Sequence, residues 1–120
     1  MGIEHKGLSL IIDALEDKKA VNIKAIDIHE LTTIAHYFVI ASGTSVTHIK
    51  ALSDNLVEKL EESGLTPLRI EGYNHARWIL LDYGDVIIHI FHEEDRQYYG
   101  LERLWQDGQP VDIQEIHKEC

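Results

Sequence analysis

Gly43, Thr44 and Ser45 form a turn of small residues between a continuous apolar run and a helical repeat, and they are the first candidates for a chemical role. A turn of small residues between a strand and a helix leaves backbone N–H groups that can hold an anion such as a phosphate. The same residues also suit an ordinary helix cap, in which Thr44 or Ser45 accepts a backbone hydrogen bond. Both interpretations stay open at this point, and the first of them points to nucleotide chemistry.

Turns of this kind also open nucleotidyltransferase domains, and such enzymes hold two metal ions with paired carboxylates, usually Asp-x-Asp on a neighbouring strand. The chain contains no Asp-x-Asp, no Walker-type loop and no Gly-x-Gly-x-x-Gly loop. The acidic run 93–95 has the position of a solvated helix N-terminus. We therefore predict a protein that is not an enzyme and uses no cofactor. The alternative is a nucleotidyltransferase-like, nucleotide-binding enzyme that uses Gly43, Thr44 and Ser45.

The eight histidines are the other candidates for chemistry. His89 and His92 lie three apart on or just past a predicted strand, whose period of two sends them to opposite faces. Others fall in separate elements without the spacing of zinc ligands, so no metal site is predicted. Because His89 lies within an apolar run, we expect it to be half-buried and hydrogen-bonded to a carboxylate such as Asp82 or Glu102.

The hydrophobic periodicity predicts the elements that position these residues. Apolar residues at helical spacing indicate amphipathic helices, whereas alternation and short apolar runs indicate strands. The predicted helices cover residues 4–19, 46–62 and 93–105, and the predicted strands cover residues 21–28, 37–41, 67–71, 79–81 and 86–91. The last two strands form a β-hairpin around residues 82–85. Strands interleaved with helices predict an α/β (α+β) fold with a five-stranded mixed sheet flanked by helices.

The length of 120 residues predicts one folded domain over residues 1–105 and a polar C-terminal tail over residues 106–120. We expect the tail to be loosely attached or to form a short helix over residues 111–118. The single cysteine, Cys120, excludes an internal disulfide framework and fits a reducing compartment. With neither a secretory signal nor an apolar run long enough for a membrane span, the chain is expected to be cytoplasmic and to bind no membrane.

The net charge of −10, from 21 acidic and 11 basic residues, narrows the range of partners. An acidic surface repels phosphate backbones, which argues against direct binding of nucleic acid. The same charge suits a basic protein surface, because it steers the approach of such a partner.

Residues 71–105 hold seven of the nine aromatic residues. Tyr98, Leu101 and Trp105 share one face of the predicted last helix, and a stripe of this kind is typical of a core. Trp and Tyr are also the residues that dominate interface energies, and here acids such as Glu102 lie beside them. Aromatic anchors ringed by acids therefore indicate a surface for a basic protein.

Four groups of residues give the chain a resemblance to a known family. They are residues 37–45 with His48; Glu71 and Gly72 before residues 78–82; residues 84–89; and residues 96–99 with Leu101, Glu102, Leu104 and Trp105. In number, order and spacing they resemble the ribosomal silencing factor family, also called Iojap-like proteins, over about residues 4–105. One departure is His36, because the family usually has an aspartate there, and the role of that acid is not carried over.

The resemblance implies a nucleotidyltransferase-like fold without that activity, in a homodimer. It implies that the protein binds a large-subunit ribosomal protein, the fourteenth of the large-subunit series, at the intersubunit face. The bound factor would then sterically block docking of the small subunit and repress translation. By position, the resemblance assigns partner binding to Trp78, Asp82, Tyr99, Leu101 and Glu102, with support from Glu71, His89, Arg96 and Trp105. A plain dimeric scaffold for some other basic partner is a third hypothesis.

Overall fold

A computed structural model describes residues 4–28, 35–94 and 109–110 of the chain. Its elements are α1 (Glu4–Asp17), β1 (Val21–Asp27), β2 (Tyr37–Gly43), α2 (Val46–Glu62), β3 (Arg69–Glu71), β4 (Trp78–Asp82), β5 (Val86–His92) and β6 (Gln109–Pro110). The first two predicted helices and all five predicted strands are therefore present. The predicted helices over residues 93–105 and 111–118 lie outside the described residues, apart from Glu93 and Glu94 at the start of the first.

The strands form one mixed sheet in the order β3-β4-β5-β2-β1-β6. The two central strands, β2 and β5, run parallel to each other, and every other neighbouring pair is antiparallel. The predicted α+β fold with a mixed sheet is confirmed. The sixth strand was not predicted: residues 109–110 belong to the segment predicted as a polar tail, and they pair with Ile26 and Asp27 of β1.

One face of the sheet is covered by both described helices. The apolar stripes of α1 and α2 follow the helical spacing that the sequence predicts, and they pack on alternate residues of the strands. The buried residues of this layer include Leu8, Ile11, Ile12, Leu15, Ile49, Leu52, Leu56, Leu60, Val39, Ala41, Leu81, Ile88 and Ile90. Removing this much apolar surface from water is the main stabilising contribution to the domain.

The opposite side of the sheet, here called the second face, has its own apolar cluster. Ile26, Ile28, Ala35, Ile40, Ile87 and Phe91 are buried there, and Phe38, Trp78 and Leu80 pack against them while partly exposed. His89 also belongs to the second face, because it pairs directly with Ile40 and with Leu80. Among the residues whose side chains the structure describes, none of α1 or α2 belongs to this cluster. Central strands buried on both faces explain the continuous apolar runs in the sequence.

None of the helices in the described ranges has the length and apolar character needed to cross a membrane.

Candidate protein-binding site

Trp78 is the first residue of β4, and two contacts fix its indole on the second face. The ring stacks on Phe91 of the neighbouring strand, with 5.1 Å between the centroids and 29° between the planes. Its Nε1–H group donates a hydrogen bond of 3.0 Å to Nδ1 of His89. The residue as a whole is only half-buried. Trp78 is thus a large ring that is held firmly and still presents part of its surface.

His89 is the polar residue at the centre of this group, and it is 4 % exposed. Burial lowers the pKa of His89 from 6.5 to about 4, so the imidazole is neutral at pH 7. An indole N–H can only donate, so Nδ1 is the acceptor and the ring proton lies on Nε2. Phe38 packs edge-on against the imidazole with 4.9 Å between centroids. No hydrogen-bond partner for the buried Nε2 is found in the described part of the chain.

The prediction that His89 is hydrogen-bonded to Asp82 is wrong, because Nδ1 of His89 accepts from Trp78. His89 lies opposite Leu80, and Asp82 lies two residues further along β4, opposite Ile87. Asp82 directs one carboxylate oxygen to the Gly84 N–H group at 2.8 Å and the other to Arg69 at 3.3 Å. Its carboxylate therefore stabilises the hairpin turn and the edge of the sheet. The other suggested partner, Glu102, lies outside the described residues.

Charged side chains line the β3 edge of the sheet, where Arg69 and Glu71 lie opposite Asp82 and Leu80 of β4. Arg69 of β3 contacts both Asp82 and Glu71, and its distance to the Glu71 carboxylate is 3.0 Å. The Glu71 side chain is 57 % exposed, whereas that of Asp82 is 18 % exposed. Exposed ion pairs are weak, so Glu71 can exchange Arg69 for a basic group of another protein at little cost. Of the two predicted acids that the structure describes, Glu71 is the more accessible one.

At Gly72, which follows β3, the backbone passes very close to the backbone of Trp78. It has a φ of +80°, which side-chain-bearing residues rarely adopt. A Cβ at this position would collide with the carbonyl oxygen of Trp78. The chain can therefore pass this close to Trp78 only with glycine, which gives the Glu71-Gly72 pair a structural role that the sequence pattern did not reveal.

The structure describes four of the nine residues assigned by resemblance. Trp78 and His89 are in contact, whereas Asp82 lies at the other end of β4 and shares Arg69 with Glu71. The other five, Tyr99, Leu101, Glu102, Arg96 and Trp105, lie outside the described residues. Sequence reasoning missed Phe38 and Phe91, which hold the two ring systems in place. The signal was present in the alternation of β2 and β5, since residues two apart share a face of the sheet.

The Gly43, Thr44 and Ser45 turn is a helix cap, as one of its two interpretations predicts. The Ser45 hydroxyl accepts a 3.0 Å hydrogen bond from the His48 N–H group at the start of α2. The Thr44 N–H group donates to Nδ1 of His48 at 2.9 Å, and Nε2 of His48 donates to the Lys18 carbonyl at 2.8 Å. Two of the N–H groups that the nucleotide-binding alternative requires are thus already used within the turn, and that alternative gains no support from them.

We expect His48→Ala to lower the free energy of unfolding by about 1 kcal/mol, because its ring joins the start of α2 to the end of α1 through two hydrogen bonds. Urea denaturation followed by circular dichroism measures the change. The control is His75→Ala, since His75 is an exposed histidine in the connection between β3 and β4. Equal midpoints for the two variants would contradict the bridging role of His48.

Within the described ranges, no group of three or more His, Cys, Asp or Glu side chains is arranged to hold a metal ion. The two histidines of the hairpin have separate functions in the fold. His89 accepts from Trp78 on the second face, and Nδ1 of His92 accepts from the Glu94 N–H group at 3.2 Å.

The fold and the site together define an α+β domain that carries an aromatic, charge-edged surface on the second face of its sheet. Comparison with known proteins gives the family: the chain belongs to the ribosomal silencing factors. The family described as "Ribosomal silencing factor during starvation" matches residues 4–120. The resemblance seen in the sequence is thereby confirmed, and the chain is placed among ribosome-associated regulators of translation.

Individual proteins are also similar to this chain in sequence or in structure. The ribosomal silencing factor RsfS of Halalkalibacterium halodurans is 38% identical over 109 residues, which cover 91% of this chain and 93% of that protein. A crystal structure of a Chromobacterium violaceum protein superimposes with a TM-score of 0.84 at 36% identity, over 93% of this chain and 92% of that one. A mouse protein named mitochondrial assembly of ribosomal large subunit protein 1 is 31% identical over 101 residues, which are 82% of this chain and 44% of that protein.

Proposed function

We propose that the protein binds a basic ribosomal protein on the intersubunit face of the large subunit and blocks docking of the small subunit by its bulk. The observation that carries this proposal is the half-buried Trp78, which Phe91 and His89 fix on the same face of the sheet as the exposed Glu71, the residue opposite Leu80. In a family of ribosomal silencing factors, the natural role of such an anchor is to bind a ribosomal surface. Translation falls because subunits held apart cannot initiate.

The contacts of Trp78 suit an interface anchor. A ring that is already ordered loses little conformational entropy when a partner packs on it, so more of its contact energy appears as affinity. Large aromatic residues in well-packed surroundings are the usual hot spots of protein interfaces. Leu80 and Phe38 extend the apolar area around it, and both are partly exposed.

The charges favour a basic partner. The chain carries a net charge of −10, and the exposed Glu71 lies opposite Leu80 at the edge of the sheet. Opposite charge on the ribosomal protein increases the rate of encounter and fixes the orientation of docking. Binding of this kind weakens as salt rises, because screening shortens the range of the attraction.

The family resemblance supplies the finer parts of the proposal. It names the fourteenth protein of the large-subunit series as the partner, a homodimer as the active form, and Tyr99, Leu101 and Glu102 as further contacts beside Trp78 and Asp82. The name of the mouse relative also refers to the large ribosomal subunit. On this proposal the protein works in the cytoplasm by binding alone, without catalysis.

The proposed mechanism is a competition for one surface. A factor and a small subunit that exclude each other shift the population of large subunits according to their concentrations and affinities. The block is therefore reversible, and excess small subunits overcome it.

The test is sucrose-gradient sedimentation of purified bacterial ribosomal subunits under conditions in which they join. Adding the protein before the subunits are mixed is expected to move material from joined particles to free subunits, with the protein sedimenting with the large subunit. Raising the concentration of small subunits should restore joining.

Two results would contradict the proposal. One is sedimentation of the protein with the small subunit, and the other is binding to the large subunit that leaves the joining of subunits unchanged. An unrelated acidic protein of similar size and charge is the control for non-specific electrostatic effects.

A further inference from the structure

His89 is an unusual residue for its position. Among the described residues, its neighbours on the second face are apolar or aromatic, namely Ile40, Leu80, Phe38 and Phe91. A leucine would fill a site of this kind without bringing polar atoms into it. The imidazole instead buries an Nε2–H group for which the described residues provide no acceptor. A buried donor without an acceptor destabilises the fold, so histidine must provide something that leucine does not.

The one polar interaction that the imidazole makes within the described structure is with Trp78. Nδ1 accepts the indole N–H group at 3.0 Å, and the two ring centroids are 5.9 Å apart. Stacking on Phe91 fixes the plane of the indole but tolerates sliding and rotation within that plane. The hydrogen bond removes this freedom, because it ties one edge of the indole to one atom of β5.

We propose that His89 is a positioning residue, which holds the indole of Trp78 through Nδ1 in the one orientation that docking on the large subunit requires. This inference rests on the proposed function, since it assigns His89 a role in the same binding event. His89 itself need not touch the partner. It acts through Trp78, and its effect on binding therefore disappears when the residue at position 78 has no N–H group.

The first experiment compares two substitutions in the full-length protein. His89→Leu removes the acceptor and keeps an apolar side chain of similar size. His89→Asn places an amide oxygen near the former position of Nδ1 and so retains an acceptor. We expect His89→Leu to weaken binding to large ribosomal subunits about fivefold, the loss typical of one hydrogen bond, and His89→Asn to stay within about twofold of wild type.

Nuclear magnetic resonance of the indole N–H groups reports the position of the ring directly. The chain has two tryptophans, and the signal of Trp78 is identified by its absence in Trp78→Phe. In His89→Leu this signal is expected to move upfield and to exchange faster with solvent, whereas in His89→Asn it should stay near the wild-type position. An indole signal that His89→Leu leaves unmoved would overturn the proposal.

A double-mutant cycle separates positioning from a general structural effect. Trp78→Phe retains a ring against Phe91 but has no N–H group to donate. In that background His89→Leu is expected to cause no further loss of binding, although any change in thermal stability from the altered packing persists. Equal losses of binding in the two backgrounds would show that His89 acts independently of Trp78 and would overturn the inference.

The two proposals fail in different ways. If the wild-type protein does not bind large subunits, the proposed function falls, and the inference that rests on it falls too, whatever the indole signal shows. If the wild type binds and both His89 variants bind equally well, the proposed function stands and the positioning role of His89 is wrong.

Discussion

Gly72→Ala is expected to lower the free energy of unfolding by about 3 kcal/mol or more, and so to lower Tm by roughly 10 °C. Two effects combine at this position. The φ of +80° is unfavourable for alanine, and the new methyl group would collide with the carbonyl oxygen of Trp78. Because the obstacle is backbone rather than the end of a flexible side chain, β4 has to shift.

Gly64→Ala is the matched control for this prediction. Gly64 has nearly the same φ, +84°, but a Cβ there would meet nothing within 4 Å. Gly64→Ala is therefore expected to lower the free energy of unfolding only by the backbone strain, about 1 kcal/mol. Thermal and urea denaturation of both variants give the difference. If Gly72→Ala is no less stable than Gly64→Ala, the contact with Trp78 is not tight, and Gly72 is needed only for its turn.

Secondary-structure elements were predictable from the sequence where the residues that define them lie within the element itself. The extent of α2 is correct to the residue, because apolar spacing, the Ser45 cap and the terminal glycine all lie within the segment itself. The edge strands were less predictable. β3 starts at Arg69 rather than at residue 67, and β6 is only two residues long, because short edge strands are defined by the partner that they pair with.

In the candidate site, too, local features were predictable from the sequence, whereas contacts between strands were not. Alternation alone indicates that residues two apart in β4 share a face, and likewise in β5, but it does not give the register between the strands. That register sets Leu80 opposite His89 and brings the indole of Trp78 to its imidazole. Without it, a nearby carboxylate was the reasonable partner for a buried histidine, and Asp82 was the wrong choice. The resemblance identified Trp78 and His89 as important but contained no statement of their contact.

Trp78→Ala is expected to weaken binding to the large ribosomal subunit about 30-fold or more, because a fixed aromatic anchor at the centre of an interface contributes at least about 2 kcal/mol. The measurement is a titration of labelled protein against purified large subunits. In the subunit-joining assay, correspondingly more of the variant is needed to release free subunits. Trp78→Leu retains an apolar side chain against Phe91, and it should lose nearly as much affinity with a smaller loss of stability.

Leu68→Ala is the control that makes this result specific. Leu68 is also a large apolar residue next to the sheet edge and is 73 % exposed, but it is not among the residues assigned to partner binding. If non-specific hydrophobic contacts held the protein on the ribosome, Leu68→Ala would weaken binding at least as much as Trp78→Ala, because a larger fraction of Leu68 is exposed. If binding depends on the shape and orientation of the Trp78 indole, which Phe91 and His89 hold in place, Leu68→Ala binds like wild type. A folded Trp78→Ala variant with wild-type affinity would show that the second face is not the docking surface.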